Sequence, residues 1–171
     1  MSVEMRALMA EENDEVYQMF QEIPAEEDGF ENPAHGLSRN EFAAFCQQDI
    51  AYSQGQNLPQ GYVPATTYVL FVDSHPAGIA KFRHYLNDAL RRNGGHIGYS
   101  VRPSYRGKGY GNRLLTEVLR FVKSQGVEKA LLTIREYNTR SRKVCEHGGG
   151  VLEKIVPGQD FNECFYWIDV K

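Results

Sequence analysis

Long apolar runs are missing from this sequence. No run of apolar residues exceeds five, as in Tyr68–Val72, whereas ~20 are needed to cross a bilayer. The acidic start, residues 1–15, also has neither the basic nor the apolar part of a signal peptide. The sequence therefore predicts a soluble, cytoplasmic protein with no membrane partner.

Cysteine is scarce, and its spacing excludes the usual metal motifs. The three cysteines, Cys46, Cys145 and Cys164, form no CxxC pair, and no histidine stands at zinc-ligand spacing from them. We expect reduced, buried thiols and no metal site.

Positive charge is scarce in the first 50 residues, which carry twelve acids and two bases. Residues 51–171 carry ten acids and seventeen bases, and the whole chain has a net charge of −3. This balance argues against nucleic acid as a partner. Local basic clusters around residues 102–113 and 140–143 still suit a small polyanion.

Linkers, repeats and low-complexity tracts are also missing, so the 171 residues predict one domain, 1–171. Apolar periodicity predicts helices at 11–21, 38–50, 112–125 and 141–147, and strands at 3–9, 66–73, 78–85, 96–101, 129–134, 151–156 and 164–170. This order predicts an α/β (α+β) fold, with a mixed, mostly antiparallel sheet and helices on both faces. One right-handed β-α-β crossover should make strands 96–101 and 129–134 locally parallel.

The most informative segment is the turn before the helix at 112–125. Gly107, Gly109 and Gly111 alternate with Lys108 and follow Arg106. Glycines allow backbone N–H groups to converge, and a helix N-terminus adds unpaired donors, so the turn suits a phosphate. A purely structural tight turn is the alternative.

Neither common nucleotide motif fits this turn. The P-loop requires a Lys-Ser/Thr pair that is absent here. The dinucleotide fingerprint requires a third glycine where Asn112 stands.

The R-x-x-G-x-G pattern of Arg106, Gly109 and Gly111 instead resembles the GNAT superfamily of acetyl-CoA-dependent N-acetyltransferases. The resemblance covers residues 94–152 and includes a strand ending at Val101 and an asparagine, Asn138, that starts a short helix. The strand H-I-G-Y-S-V-R-P at 96–103 is similar to a predicted-acetyltransferase subgroup. The resemblance implies the GNAT fold, with a splayed parallel strand pair that admits the thioester.

The resemblance also implies the cofactor contacts. Backbone N–H groups from Arg106 to Gly111 should hold the pyrophosphate of acetyl-CoA, the Val101 backbone should pair with the pantetheine arm, and Asn138 and Ser141 should border the thiol end. The full expected set is Tyr99, Val101, Arg106, Gly107, Lys108, Gly109, Tyr110, Gly111, Asn112, Asn138 and Ser141.

The catalytic groups depart from the family pattern. Many relatives use a tyrosine to protonate the departing thiolate, and Cys145 holds that position here. Cys145 is either a proton donor or a buried apolar residue. His96 is the first candidate for the base, with Glu136 and His84 after it, and water is an alternative.

The implied function is direct transfer of an acetyl group from acetyl-CoA to a primary amine of a small molecule or peptide. We expect a cationic acceptor, because the early helices are acidic; the cluster is Glu22, Glu26, Glu27, Asp28 and Glu31. A non-catalytic acyl-CoA-binding regulatory module and a nucleotide-binding protein are the alternatives. A homodimer is left open, since many relatives pair.

Overall fold

The computed structural model describes residues 1–170 and has five α-helices and nine strands in that part of the chain. In chain order they are β1 (Val3–Ala7), α1 (Asp14–Glu22), β2 (Glu26–Glu27), β3 (Phe30–Glu31), α2 (Arg39–Ser53), β4 (Ala65–Val72), β5 (His75–Arg83), α3 (Asp88–Arg92), β6 (Ile97–Val101), α4 (Tyr110–Ser124), β7 (Lys129–Arg135), α5 (Thr139–His147), β8 (Gly150–Val156) and β9 (Glu163–Asp169). A 3₁₀ turn, Pro103–Tyr105, follows β6.

The strands form two main sheets with antiparallel neighbours. The first has the order β1-β4-β5-β6 and the second β7-β9-β8, while β2 and β3 make a small separate hairpin. Helices α1 and α2 cover one face of the first sheet, over a core that includes Phe20 and Phe42. Helix α4 covers the other face, where Leu114 and Val118 pack against residues of both sheets. The predicted mixed α/β fold is confirmed.

Local signals in the sequence set the helix boundaries. The capping box of α2 forms as predicted, because Ser38 Oγ accepts from the Glu41 amide (3.2 Å) and Glu41 Oε2 accepts from the Ser38 amide (2.7 Å). Helix α4 ends before Gly126, which has φ +80°. It begins at Tyr110, two residues earlier than predicted, with Gly109 as its N-cap.

Other boundaries also differ from the prediction. Helix α1 begins at Asp14 because Asn13 Oδ1 accepts from the Val16 amide at 2.9 Å. Strand β5 begins at His75, since Asp73 and Ser74 both have positive φ and close a two-residue turn. The short elements α3, β2 and β3 were not predicted.

The crossover strands β6 and β7 are joined at one end only. Just before β6, Gly95 forms an antiparallel-type bridge with Leu132, and the His96 amide donates to Leu131 O at 2.8 Å. Within residues 1–170 no ladder joins β6 to β7, and the two strands splay apart toward Val101 and Arg135, as expected. The site described below lies in this opening.

Candidate functional site

The glycine turn between β6 and α4 has the backbone shape of an anion site. Gly107 has φ +76° and Gly109 has φ +85°, values that side-chain-bearing residues rarely adopt. A β-carbon at either position would have no heavy atom within 4 Å. The turn is therefore open on the side where a phosphate would meet the backbone amides and the N-terminus of α4.

Two other residues of the turn make contacts that the prediction did not include. A β-carbon on Gly111 would lie 3.3 Å from Val144 Cγ2, so Gly111 allows α4 to pack closely on α5. Lys108 Nζ donates to Ser104 O at 3.2 Å, and Lys108 does not line the cavity at the turn. Its predicted contact is thereby limited to its backbone amide.

A cavity of about 570 Å³, here called the turn cavity, adjoins the glycine turn. Ten of the eleven predicted cofactor residues line it: Tyr99, Val101, Arg106, Gly107, Gly109, Tyr110, Gly111, Asn112, Asn138 and Ser141. Sequence reasoning missed Tyr105, Tyr137, Thr139 and Arg140, which also line it. Asn112 Oδ1 is buried there without a hydrogen-bond partner in the described chain, so it can accept from a ligand.

Arg106 fastens the turn to two other parts of the chain. Its Nε donates to Val101 O at 2.9 Å. Its Nη2 lies 2.6 Å from Glu27 Oε1 in the β2–β3 hairpin. The guanidinium is therefore held at the turn cavity, with a carboxylate in the place where a phosphate would bind.

Strand β6 is the edge of its sheet and presents backbone groups to the splay. The Arg83 amide donates to His96 O (2.7 Å), and the Arg102 amide donates to Ala77 O (2.8 Å). Backbone groups of even-numbered β6 residues therefore face β5, and by alternation those of Tyr99 and Val101 point away from it. An extended, amide-bearing chain can pair with this edge as an additional strand would.

A second cavity of about 690 Å³ lies beside the first. We call it the carboxylate cavity because six acids line it: Glu26, Glu27, Asp28, Glu31, Asp49 and Glu163. The residues that line both cavities are Glu27, Asp28, Phe30, Tyr99, Asn138 and Ser141. The two cavities therefore meet at the open end of the splay, between β6 and the start of α5.

Tyr99 and Ser141 form a hydrogen-bonded pair at this junction. The Tyr99 hydroxyl lies 2.9 Å from Ser141 Oγ. Asn138 Oδ1 accepts from the Ser141 amide at 3.2 Å and so fixes the start of α5. Burial raises the pKa of Tyr99 to about 12. A neutral phenol, able to donate a hydrogen bond, thus stands where the cavities join.

Cys145 does not reach this junction. Its side chain is fully buried in the core and lines neither cavity. Burial raises the pKa of its thiol to about 12. A β-carbon on Gly150 would lie 2.5 Å from its sulfur, so the core is closed around it. These contacts favour the buried apolar residue over the proton donor.

His96 is also held away from the junction. Its Nδ1 accepts from the Leu131 amide at 2.9 Å, at the closed end of the splay. Burial, together with the charges of Arg91 and Arg83, lowers its pKa to about 4. His96 lines neither cavity. The contacts therefore indicate a structural role and disfavour the predicted role as base.

The two secondary base candidates are bound elsewhere as well. His84 Nε2 lies 2.8 Å from Thr66 Oγ1, and Glu136 Oε1 accepts from Asn162 Nδ2 at 3.1 Å. Neither residue lines a cavity.

Two carboxylates that the sequence analysis missed line the carboxylate cavity instead. Burial raises the pKa of both Asp49 and Glu163, and Asp49 Oδ1 accepts from Thr67 Oγ1 at 3.0 Å. Asp49 could have been found, because it lies seven residues after Phe42 on the buried stripe of α2. An acid on an apolar stripe is a signal of a site.

The acidic cluster expected to attract a cation is largely neutralised. Three of its five members pair with arginines: Glu22 with Arg102 (2.6 Å), Glu27 with Arg106 (2.6 Å) and Glu26 with Arg135 (3.3 Å). The surface field is therefore weaker than the acid count of the sequence suggests.

Residues 13–149 match the model of the acetyltransferase (GNAT) family. The chain belongs to this family. The match confirms the predicted acyltransferase class, and relatives solved with CoA or acetyl-CoA, given below, support the predicted co-substrate. The open turn at Gly107 and Gly109 and the unpartnered Asn112 Oδ1 fit that ligand. No curated protein sequence matches the chain significantly.

Solved structures of family members share the fold across the whole chain. RimL, a ribosomal L7/L12 α-N-protein acetyltransferase solved with CoA, has TM-score 0.74 and 20% identity, covering 99% of this chain and 96% of RimL. MccE, a microcin C7 self-immunity acetyltransferase solved with acetyl-CoA and AMP, has TM-score 0.72 and 15% identity, with coverage of 98% and 92%. YncA from Salmonella typhimurium, solved with acetyl-CoA, has TM-score 0.67 and 15% identity, with coverage of 100% and 95%.

Within residues 1–170, no group of three or more His, Cys, Asp or Glu side chains is placed to hold a metal ion. No helix in the same range is both long and apolar enough to cross a bilayer.

Proposed function

We propose that this enzyme transfers the acetyl group of acetyl-CoA directly to the primary amine of an acceptor held in the carboxylate cavity. The observation that carries the proposal is the junction of the two cavities at Tyr99 and Ser141. A donor in one cavity and an acceptor in the other meet only there. Holding both reactants in this way supplies much of the rate.

The donor site is built mainly from backbone. Amides from Gly107 to Gly111 hold the pyrophosphate, whereas the Arg106 amide, also expected to do so, donates to Pro103 O at 3.2 Å. The outward edge of β6 pairs with the pantetheine arm. Arg140 is exposed, lines the turn cavity and has no ion pair within residues 1–170, so it is available for a further phosphate.

Acetyl transfer at the junction requires a polarised carbonyl, a group that takes a proton from the amine and a donor to the departing sulfur. Acetyl-CoA, when bound, supplies a thioester whose carbonyl carbon the amine attacks, so that a C–N bond forms, the C–S bond breaks, and the proton lost by nitrogen is finally taken up by sulfur. Outward N–H groups of β6 donate to the carbonyl oxygen. Tyr99 donates a hydrogen bond toward the sulfur. Asp49 and Glu163, the cavity carboxylates whose pKa burial raises, are our candidates to receive the amine's proton on its way to sulfur.

Acetyl transfer itself is tested by mass spectrometry of amines incubated with the protein and acetyl-CoA. The panel covers amino acids, amino sugars, polyamines and peptides. We expect a mass gain of one acetyl group on at least one class, with stoichiometric release of CoA thiol. Tight acetyl-CoA binding without turnover on any class would instead support the non-catalytic acyl-CoA-binding module.

Glu27→Gln should strengthen CoA binding by about two- to fivefold, the range expected for a partly exposed ion pair. The substitution removes the carboxylate that lies 2.6 Å from Arg106 and frees this guanidinium for the pyrophosphate. Calorimetric titration with CoA measures the change. Glu22→Gln, which breaks the similar 2.6 Å pair with Arg102 outside the cavity, should leave the affinity unchanged. Weaker binding by Glu27→Gln would contradict this assignment of Arg106.

A further inference from the structure

Strand β5 brings two positive charges into the carboxylate cavity. Lys81 and Arg83 are alternate residues of this strand, so their side chains project from the same face. Both are half-buried, and both line the cavity. The predicted acidic character of the acceptor side does not account for them.

Neither cation is neutralised by the protein. Arg83 Nη1 donates to Gly94 O (3.1 Å) and Gly95 O (3.3 Å), which fixes the guanidinium but brings no negative charge. The side-chain ammonium of Lys81 makes no hydrogen bond within residues 1–170, although its backbone pairs with β4 and β6. No carboxylate of the described chain lies within 4.0 Å of the charged nitrogens of either residue.

The protein maintains this arrangement at an energetic cost. Burial and the charge of Arg83 lower the pKa of Lys81, while Asp49 and Glu31 oppose that shift from beyond ion-pair distance. Like charges on one face of a strand repel each other, and partly buried charges without partners are unfavourable. A negative group on a ligand would remove both penalties.

We infer that Lys81 and Arg83 bind an anionic group of the acceptor, so that the substrate is a small amine that also carries a carboxylate or a phosphate. This inference rests on the proposed acetyl transfer and names its substrate class. It replaces the simple cation expected from the sequence with a molecule of both charges. Its anionic end binds at β5, and its amine extends toward the junction at Tyr99 and Ser141.

Strand register gives the offset of these cations from Tyr99. Ala80 pairs with Tyr99, and Lys81 pairs with Gly98. Lys81 is thus one residue, and Arg83 three residues, along β5 from the level of Tyr99, an offset of roughly 3 and 10 Å along the strand at ~3.3 Å per residue. Side chains alternate between faces, so both cations project from the sheet face opposite to the Tyr99 side chain. The acceptor therefore reaches the Tyr99–Ser141 junction through the splay from this opposite face.

The kinetic test uses acceptors in matched pairs. Each amino acid is compared with its carboxamide, and each amino-sugar phosphate with the parent amino sugar, at saturating acetyl-CoA. We expect the anionic member of the productive pair to have at least ~10-fold higher kcat/KM. Whether the amino acids or the amino-sugar phosphates are acetylated also shows whether the anionic group of the acceptor is a carboxylate or a phosphate. Equal or better use of the uncharged members would overturn the inference while leaving acetyl transfer established.

Lys81→Met is the matched variant, because it removes the charge without removing any hydrogen bond. It should lower kcat/KM for the anionic acceptor by at least ~10-fold and leave both the neutral partner and the CoA affinity unchanged. Lys81→Arg should restore most of the loss. Lys129→Met, at an exposed position outside both cavities, should have no effect. Equal losses on both members of the pair would overturn the inference.

A binding measurement keeps the inference testable without turnover. CoA-saturated protein, in which the turn cavity is filled, is titrated with inorganic phosphate and with acetate. At least one anion should bind to wild-type protein and bind at least ~10-fold more weakly to Lys81→Met. The inference would be overturned if neither phosphate nor acetate bound to the wild-type protein. It would also be overturned if wild-type protein and Lys81→Met bound the anion equally. Failure of the proposed function would appear differently, as absent CoA binding or absent acetylation.

Discussion

Gly109→Glu is expected to weaken CoA binding by at least ~100-fold, equivalent to about 2.7 kcal/mol. Gly109 has φ +85°, and a side chain there would extend into the open space of the turn cavity. The carboxylate would occupy the pyrophosphate position and repel it. Calorimetric titration of the variant with CoA measures the loss.

Gly126→Glu is the matched control for this substitution. Gly126 stands just after the opposite end of α4, with φ +80° and no heavy atom within 4 Å of a β-carbon. It introduces the same charge and the same backbone strain, of order 1 kcal/mol, away from the cavity. Its CoA affinity should match that of wild type. If both variants lost affinity equally, strain rather than the turn would be responsible, and the assignment of the turn would be wrong.

Tyr99→Phe is expected to lower kcat by ~100-fold while leaving the dissociation constant of acetyl-CoA unchanged. The substitution removes only the hydroxyl that lies 2.9 Å from Ser141 Oγ at the junction of the cavities. In the proposed mechanism that hydroxyl stabilises the sulfur as the C–S bond breaks, so its loss affects the chemical step. Since the pKa of Tyr99 is raised to about 12, the phenol keeps its proton, and wild-type kcat should not fall between pH 7 and 10 from its ionisation.

Tyr105→Phe provides the comparison, because Tyr105 lines the turn cavity but not the junction. Its kcat should remain within twofold of wild type, a change below ~0.5 kcal/mol.

Cys145→Ala and His96→Gln should impair folding stability more than chemistry, since both residues are buried structural groups. A normal kcat for Tyr99→Phe, together with a ~100-fold loss for folded Cys145→Ser, would return the role of proton donor to Cys145.

Local features of this fold can be predicted from the sequence because short-range interactions determine them. Gly107 and Gly109 need left-handed backbone, and Ser38 with Glu41 forms a cap within one turn of helix. The apolar stripe of α4 likewise predicts that this helix packs on an apolar surface, which residues of both sheets provide. These short-range patterns predicted the glycine turn, and the family resemblance supplied the predicted cofactor residues, ten of which line the turn cavity.

The catalytic and acceptor sites depend on contacts that no local pattern records. Glu27 and Arg106 are 79 residues apart, and their pairing cancels charges that looked available in the sequence. Tyr99 and Ser141 are 42 residues apart. The ordinary pKa of histidine suits a general base, but burial lowers the pKa of His96 to about 4. Its Nδ1 also accepts from the Leu131 amide, so His96 is a structural group. Tertiary packing, rather than residue type, decides these roles.

A crystal structure of the acetyl-CoA complex tests the central claim most directly. The account predicts the pyrophosphate within hydrogen-bond distance of backbone amides between Arg106 and Gly111, and the thioester sulfur within hydrogen-bond distance of the Tyr99 hydroxyl. A pyrophosphate bound elsewhere, or a thioester directed at Cys145 or His96 instead of the Tyr99–Ser141 junction, would contradict it.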